Sequence, residues 1–415
     1  MRKDPARLEF EIQARDGSAR TGLIRCGHGE IATPAFIPLA TKASVRSLSA
    51  GEVAELGYVL VLGNAFHLHL SPGEDRIAAH GGLHGFMGWD RAIITDSGGF
   101  QVFSLAHGGV ADEIKGRRGE GEGRAKVEIS ERGVAFQSLL DGSDRFIGPE
   151  ESMAIQAKLG SDIALVFDEC TPYHADRDYT ARAMERTHRW LARCLQWHER
   201  EGPPGQAVFG IVQGGVHEEL RREAAQKVGE AAVDGIAIGG TLGRDKPEMA
   251  EVLALTAPLL PADAPVHLLG IGEVDDLMRA IPLGMDVFDC AVPTRLARHG
   301  VALAPEPEGR FRIDLAKQRF ADDDGPLAEG CPCEACRRHS RAYIHYLARA
   351  RELTGARLLT LHNLTYMERL MAGAREAISA GGYGAYASAV LAGAAPWAAP
   401  VAATGAAAGP RPNEG

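Results

Sequence analysis

The stretches IALVFDEC (163–170), AVFGIVQGG (207–215), GIAIGG (235–240), VHLLGIG (266–272) and VFDC (287–290) decide the fold. Each is a short, apolar, β-branched run that ends in a polar residue or glycine. Apolar runs without alternation fit strands buried on both faces, the pattern of a parallel sheet. Upstream, PAFIPLAT (34–41), YVLVLGN (58–64) and AIITDSGG (92–99) have the same form. Amphipathic stretches lie between several runs. One is 176–200, with Met184, Trp190 and Leu191 spaced for one face; another is 217–232, which opens HEELRREAAQKV. Eight strand units with helices between them suggest an α/β fold of the (β/α)8 TIM-barrel type. A doubly wound open sheet is the alternative, because counting strands does not prove closure.

Two segments exceed what a barrel needs. Residues 101–160 carry KGRRGEGEGRAK (115–126), then VEIS and GVAFQS, which suggests a small β insertion with a mobile loop. Residues 291–362 follow the last strand and hold three of the seven cysteines. The expected organisation is one elaborated barrel over 1–390, with an insertion around 101–160 and a metal-binding subdomain around 300–362. The Ala, Pro and Gly composition of 391–415 suggests a disordered tail.

The composition is globular, with 45% hydrophobic and 24% charged residues among 415. A net charge of −10 argues against a protein that coats nucleic acid, though not against a local basic patch. There is no apolar run long enough for a membrane span, and the N-terminus lacks a signal peptide's apolar core. Too few cysteines for a disulfide scaffold suggest a reduced, cytoplasmic protein.

If the barrel closes, side chains at C-terminal strand ends converge on one mouth. Asp96, Asp168, Gln213, Gly239, Gly240 and Asp289 hold those positions. Singly, each acid could cap a helix or pair with an arginine. Together they suit chemistry at a sugar carbon: one carboxylate attacks the anomeric carbon and another handles the leaving-group proton. Spacing does not say which does which. A third carboxylate with an amide suits a purine. The acid accepts from guanine's ring N–H and amino group, while Gln213 and the Gly240 N–H donate to its 6-oxo group.

Cys331-Pro-Cys333-Glu-Ala-Cys336, followed by His362, supplies three thiolates and an imidazole, a complete shell for structural zinc, one ion per subunit. On spacing alone His339 and His345 compete with His362. Between 331 and 362 the charge balance turns positive (Arg337, Arg338, Arg341, Arg349, Arg351 and Arg357 against Glu334 and Glu352), and Arg295 and Arg298 follow the last strand. Phosphate contacts would explain both clusters; a solvated helix face would also explain the first. His67-Leu68-His69 imitates a metal pair, but residues two apart on a helix do not share a face. Cys170 reads as a wall of the mouth, since no histidine partner is evident.

ITDSGGFQVFSL (94–105), VFDEC (166–170), GIVQGG (210–215), DVFDCAVPTR (286–295) and CPCEAC…HN (331–363) together resemble the tRNA-guanine transglycosylases, the queuine tRNA-ribosyltransferase family. The resemblance runs from about residue 8 to 390. It implies a zinc-bearing (β/α)8 barrel that acts as a homodimer. Its substrate would be tRNA with a GUN anticodon, whose wobble guanine is exchanged for a 7-deazaguanine base. By motif, Asp289 resembles the nucleophile and Asp96 the general acid/base. Asp168, Gln213, Gly240, Ser97 and Leu269 match base-binding positions, and Phe100 matches the stacking ring. Arg295 and Arg298 match the segment that holds tRNA. Cys331, Cys333, Cys336 and His362 match the zinc ligands.

One loop departs from the pattern. Most bacterial members read GGLAVGE where residues 239–245 read GGTLGRD. Thr241 replaces leucine, and Gly243 stands where valine is usual, which suggests room for a bulkier base such as queuine beside 7-aminomethyl-7-deazaguanine. The other readings are a non-catalytic tRNA-binding subunit of the same fold, a relative acting elsewhere in tRNA or on DNA, and a metal-dependent barrel hydrolase. Retention of both Asp96 and Asp289 argues against the first.

Overall fold

A computed structural model of the chain describes residues 7–107, 127–138, 140–240 and 242–401. The glycine-rich stretch 115–126, Thr241 and the tail beyond 401 lie outside them. All eight apolar runs contain a strand: β1 Ala35–Ile37, β2 Leu60–Asn64, β3 Ala92–Asp96, β4 Ile163–Leu165, β5 Ala207–Val212, β6 Gly235–Ile238, β7 Val266–Leu268 and β8 Val287–Asp289. They pair in parallel, in chain order, from β2 round to β8, and β8 pairs with β1. The ring closes at the β1–β2 seam, where Ala40 N donates to Leu62 O (2.7 Å) and Leu62 N to Pro38 O (3.1 Å). Closure excludes the open-sheet alternative.

The strands are buried except at Ala35 and Asp96, because helices cover the outside. The helix Arg177–Glu201 shows how. Asp176 caps it by accepting from Tyr179 N at 2.7 Å, and Ala183, Met184, Thr187, Trp190, Leu191 and Cys194 form its buried stripe.

The N-terminal ends of alternate strands repeat one device. Asp162, Asp234 and Asp286 immediately precede β4, β6 and β8. Each carboxylate accepts a backbone N–H from the preceding strand: Ile93 (2.8 Å), Val208 (2.8 Å) and Val266 (2.7 Å). Each aspartate's own N–H returns a bond to that residue's carbonyl, at 2.9, 2.8 and 2.9 Å.

Among the described residues, three smaller sheets or hairpins surround the barrel. An antiparallel sheet of Glu9–Asp16, Ala19–Cys26 and Gly29–Thr33 precedes it, and its Arg20 forms a buried ion pair with Asp286. Within the segment between β3 and β4, Val127–Ile129, Val134–Gln137 and Asp144–Ile147 form a second antiparallel sheet. Trp190 Nε1 donates to Glu131 O at 2.9 Å and ties this sheet to the Arg177–Glu201 helix. After β8 come the helix Val292–Arg298, the hairpin Val301–Leu303/Arg312–Asp314, the cysteine loop and the long helix Leu353–Ser379. Ile313, Leu315, Phe320, Ile344, Leu358 and Leu359 build a separate small core there with Cys331 and Cys333. Packed chain runs further than the composition of the tail suggests. Trp397 meets Tyr366 edge-on at 5.8 Å and donates to Glu329 O at 3.0 Å, so one aromatic anchors an Ala-rich segment that has little else to bury.

Candidate active site and metal centre

Asp96 ends β3, level with Asn64 at the end of β2. The Asn64 side-chain oxygen caps the helix Ala65–Leu70 by accepting from His67 N at 2.9 Å. That cap turns the Asn64 amide NH2 toward Asp96 Oδ2, to which it donates. Ala65 N donates to Oδ1 at 2.8 Å and Gln101 Nε2 to Oδ2 at 3.3 Å. Burial, with the Asp289 charge nearby, pushes the Asp96 carboxyl up to about 7 against the pull of these donors. A group poised there can both give and take a proton near neutrality.

Asp168 lies just past β4. Its Oδ2 accepts from Gln213 Nε2 (2.5 Å) and its Oδ1 from Ser97 Oγ (3.2 Å). Burial raises it to about 6 despite both bonds. Gly240, past β6, has φ +81°, and a Cβ there would lie 2.3 Å from Gln213 Oε1, so only glycine fits. Leu269 borders the adjacent Gly239, and Phe100 stands 43% exposed on the helix that opens at Gly99. Cys170 is a buried thiol pushed up to about 12 by burial, which suits a wall and not a nucleophile.

Asp289 ends β8. Its Oδ1 faces His267 Nε2 at 2.9 Å and accepts from Gly270 N at 3.1 Å. The strands therefore bring Asp96, Asp168, Gln213, Gly240 and Asp289 to one end of the barrel. Asn64, His267 and Arg221 were not legible as site residues. Arg221 is fully buried and donates to Gly215 O (2.7 Å), Val212 O (3.1 Å) and Gly239 O (3.1 Å). It thereby holds together the loops that carry Gln213 and Gly240. In HEELRREAAQKV it looks like any solvated arginine.

The departing loop reads differently in three dimensions. Gly243 has φ +124°, and a Cβ there would meet Glu248 and the Met249 N at 3.0 Å. The backbone and the following helix therefore both require glycine at this position.

The cysteine loop and the long helix meet at a second site. Sγ of Cys331, Cys333 and Cys336 lie 3.6, 3.5 and 3.3 Å from His362 Nδ1. A tetrahedral ion with bonds of roughly 2.3 Å to sulfur and 2.0 Å to nitrogen separates such donors by roughly 3.5 Å. His362 Nε2 lies 2.7 Å from Leu303 O, which can only accept. The ring proton is therefore on Nε2 and the Nδ1 lone pair faces the thiols. The four donors can hold a metal ion. The competing histidines are engaged elsewhere: His345 Nδ1 bonds Leu315 O at 2.6 Å, and His339 stacks on Tyr343. His69 pairs with Glu74 at 2.8 Å, away from any metal group among the described residues. A different group, His28, His84 and Asp162, sits at the opposite end of the barrel. His28 Nδ1 is 2.7 Å from Asp162 Oδ1, a hydrogen-bond length, so these two groups are paired with each other here.

Arg295 and Arg298 lie on the helix after β8. Burial, Arg46 and Arg295 together lower the Arg298 guanidinium from its usual value, so three cations gather there, and none of them forms an ion pair among the described residues. The second basic run divides. Arg341 pairs with Asp323 and Arg357 with Glu52, whereas Arg337, Arg349 and Arg351 are exposed and make no ion pair among the described residues.

The chain is thus a closed parallel TIM barrel with three carboxylates at its C-terminal mouth and a thiol–imidazole group apart from it. A family model for queuine tRNA-ribosyltransferase matches residues 16–395. Proteins named queuine tRNA-ribosyltransferase are similar over nearly their whole length. That of a Roseiflexus species is 50% identical over 386 residues (90% of this chain, 96% of that protein). Those of Syntrophobacter fumaroxidans and Thiobacillus denitrificans are 47% and 46% identical, covering 91% and 90% of this chain and 95% of each relative. The chain belongs to the queuine tRNA-ribosyltransferase family, whose members are pentosyltransferases.

Proposed function

We propose that this chain is a tRNA-guanine transglycosylase that exchanges the wobble guanine of tRNA with a GUN anticodon for a 7-deazaguanine base. The observation that carries the reading is the mouth itself: two carboxylates on separate strands, close enough that the charge of Asp289 helps raise Asp96 to about 7. In the first displacement, Asp289 attacks the anomeric carbon of the ribose. The glycosidic electron pair leaves with guanine, which takes a proton from Asp96. In the second, the incoming base gives a proton to Asp96 and attacks the same carbon, and the ester pair returns to Asp289. Two inversions retain the configuration. A purine's ring N–H and amino group are the donors that Asp168 would accept in place of Gln213 and Ser97. Gln213, once released, and Gly240 N–H can then donate to the 6-oxo group. Phe100 is free to stack on the base, and Leu269 lines it.

Arg295, Arg298 and the exposed arginines near the cysteine loop would hold phosphates. Zinc bound by Cys331, Cys333, Cys336 and His362 would be structural, since protein fills all four positions. Exposed Tyr343, Tyr346 and Leu353, beside that loop, support a homodimer through this region. Among the described residues no helix is long and apolar enough to cross a membrane, and a tRNA substrate fits the cytoplasm. A binding subunit without chemistry is disfavoured, because it would have no use for Asp96 and Asp289 held in this way. Incubation of GUN-anticodon tRNA with labelled guanine, then mapping of the label, tests the function. Label at the wobble position supports it, and label elsewhere or nowhere refutes it.

A further inference from the structure

We propose that His267 is a positioning residue for the nucleophile, holding one oxygen of Asp289 so that the other meets the ribose; this rests on the role given to Asp289 above. β7 and β8 run in parallel with His267 level with Val287, which sets the imidazole beside the carboxylate at the end of β8. His267 is fully buried, and its Nε2 lies 2.9 Å from Asp289 Oδ1. Gly270, at φ +74°, turns its N–H onto the same oxygen at 3.1 Å. Two donors thus converge on Oδ1. Among the described residues none donates to Oδ2, and 11% of the Asp289 side chain remains exposed.

The tautomer follows from the surroundings. His267 Nδ1 is buried and has no hydrogen-bond partner. Nε2 faces a carboxylate oxygen, which can only accept, so the ring carries a proton on Nε2 and donates it. The torsion that turns a carboxylate is broad and weakly preferred, so a free Asp289 would present either oxygen over a wide arc. Fixing Oδ1 removes that freedom before substrate arrives. When the ribosyl ester forms through Oδ2, Oδ1 becomes its carbonyl oxygen. When the ester breaks, the returning electron pair spreads onto Oδ1, where two N–H groups already point. His267 neither gives nor takes a proton in either step.

The test compares His267→Phe, which keeps a ring and loses the donor, with His267→Gln, whose amide reaches a similar point. Removing one such donor is expected to cost about 100-fold in kcat, with KM for tRNA nearly unchanged and denaturant-stable adduct forming correspondingly slowly. Gln should recover at least about tenfold of that loss. Near-parental kcat in His267→Phe, or a Gln variant no better than Phe, overturns the proposal. If the Phe variant fails to fold, His267→Asn, too short to reach Oδ1, takes its place under the same criteria. Asp289→Ala is the control. If it still forms adduct, the nucleophile reading fails whatever His267 does. If it is dead while His267→Phe runs at full speed, only the positioning role fails.

Discussion

Both ends of the barrel carry buried or half-buried aspartates, and they treat them differently. At the N-terminal ends, Asp162, Asp234 and Asp286 each close a two-bond loop with the neighbouring strand, and further partners complete two of them. Arg20 reaches Asp286 through Nε (2.9 Å) and Nη2 (2.5 Å) and spends other donors on Ala262 O and Ala264 O. His28 and His84 flank Asp162. At the mouth, the donors to Asp96 and Asp168 are largely side chains from other parts of the chain, and Asp289 keeps an oxygen that no described residue claims. Burial alone therefore does not mark a working carboxylate. All three N-terminal aspartates share the paired backbone bonds, whereas Asp96 and Asp168 are held largely by side chains and Asp289 keeps an open oxygen.

Substitutions at the two ends should separate on this basis. The largest effect is expected for Asp289→Ala: exchange falls about 10⁴-fold or more and the denaturant-stable tRNA adduct disappears, while the melting temperature is no lower than the parent's. A large loss of stability would mean that Asp289 belongs with the structural set. Arg20→Met should do the reverse. It strands a buried carboxylate, so urea unfolding should report a loss of about 3–5 kcal/mol, with kcat of the folded enzyme retained. Intact stability with lost activity would break the contrast.

Asp96 spans both properties. Its folded carboxyl lies above its ordinary value of 3.8, at about 7. Its contribution to stability is therefore full below about pH 3.8 and is lost as pH rises through about 7. Asp96→Asn removes that dependence, so its melting temperature relative to the parent should climb between pH 5 and pH 8.5. In the parent, kcat/KM for tRNA should fall above about pH 7, because the departing base then finds no proton. A flat alkaline limb would refute Asp96 as the acid. The smallest effect belongs to His28→Ala. The ring is 47% exposed and Asp162 keeps His84 and Ile93 N, so the shift in urea midpoint should correspond to under about 1 kcal/mol.

The strands were legible because burial on both faces writes itself as unbroken apolar runs. The mouth was legible because an acid at the end of such a run is conspicuous. What escaped notice was what those same signals conceal. His267 sits inside VHLLGIG, where a buried imidazole looks like one more strand residue. Asn64 caps a helix, and nothing local says that its amide also holds Asp96. Arg221 and Trp397 are single residues in charged and Ala-rich surroundings, and only their distant partners explain them. The N-terminal sheet alternates apolar and polar residues around EFEIQARD, so it lacks the continuous run that marked the barrel.

The helix Leu353–Ser379 bears on how this protein can be divided. It is roughly 40 Å long at 1.5 Å per residue. Near its middle, three successive residues face three different structures. His362 completes the thiol group, Asn363 bonds Pro293 O, Val301 O and Leu303 N, and Leu364 O accepts from Tyr58 beside β2. Farther along, Arg375 bonds Pro34 O at the entrance to β1. The helix works as a shared beam. A fragment cut out around the cysteines would leave without the wall it leans on, and the barrel would lose the strut along its closing seam.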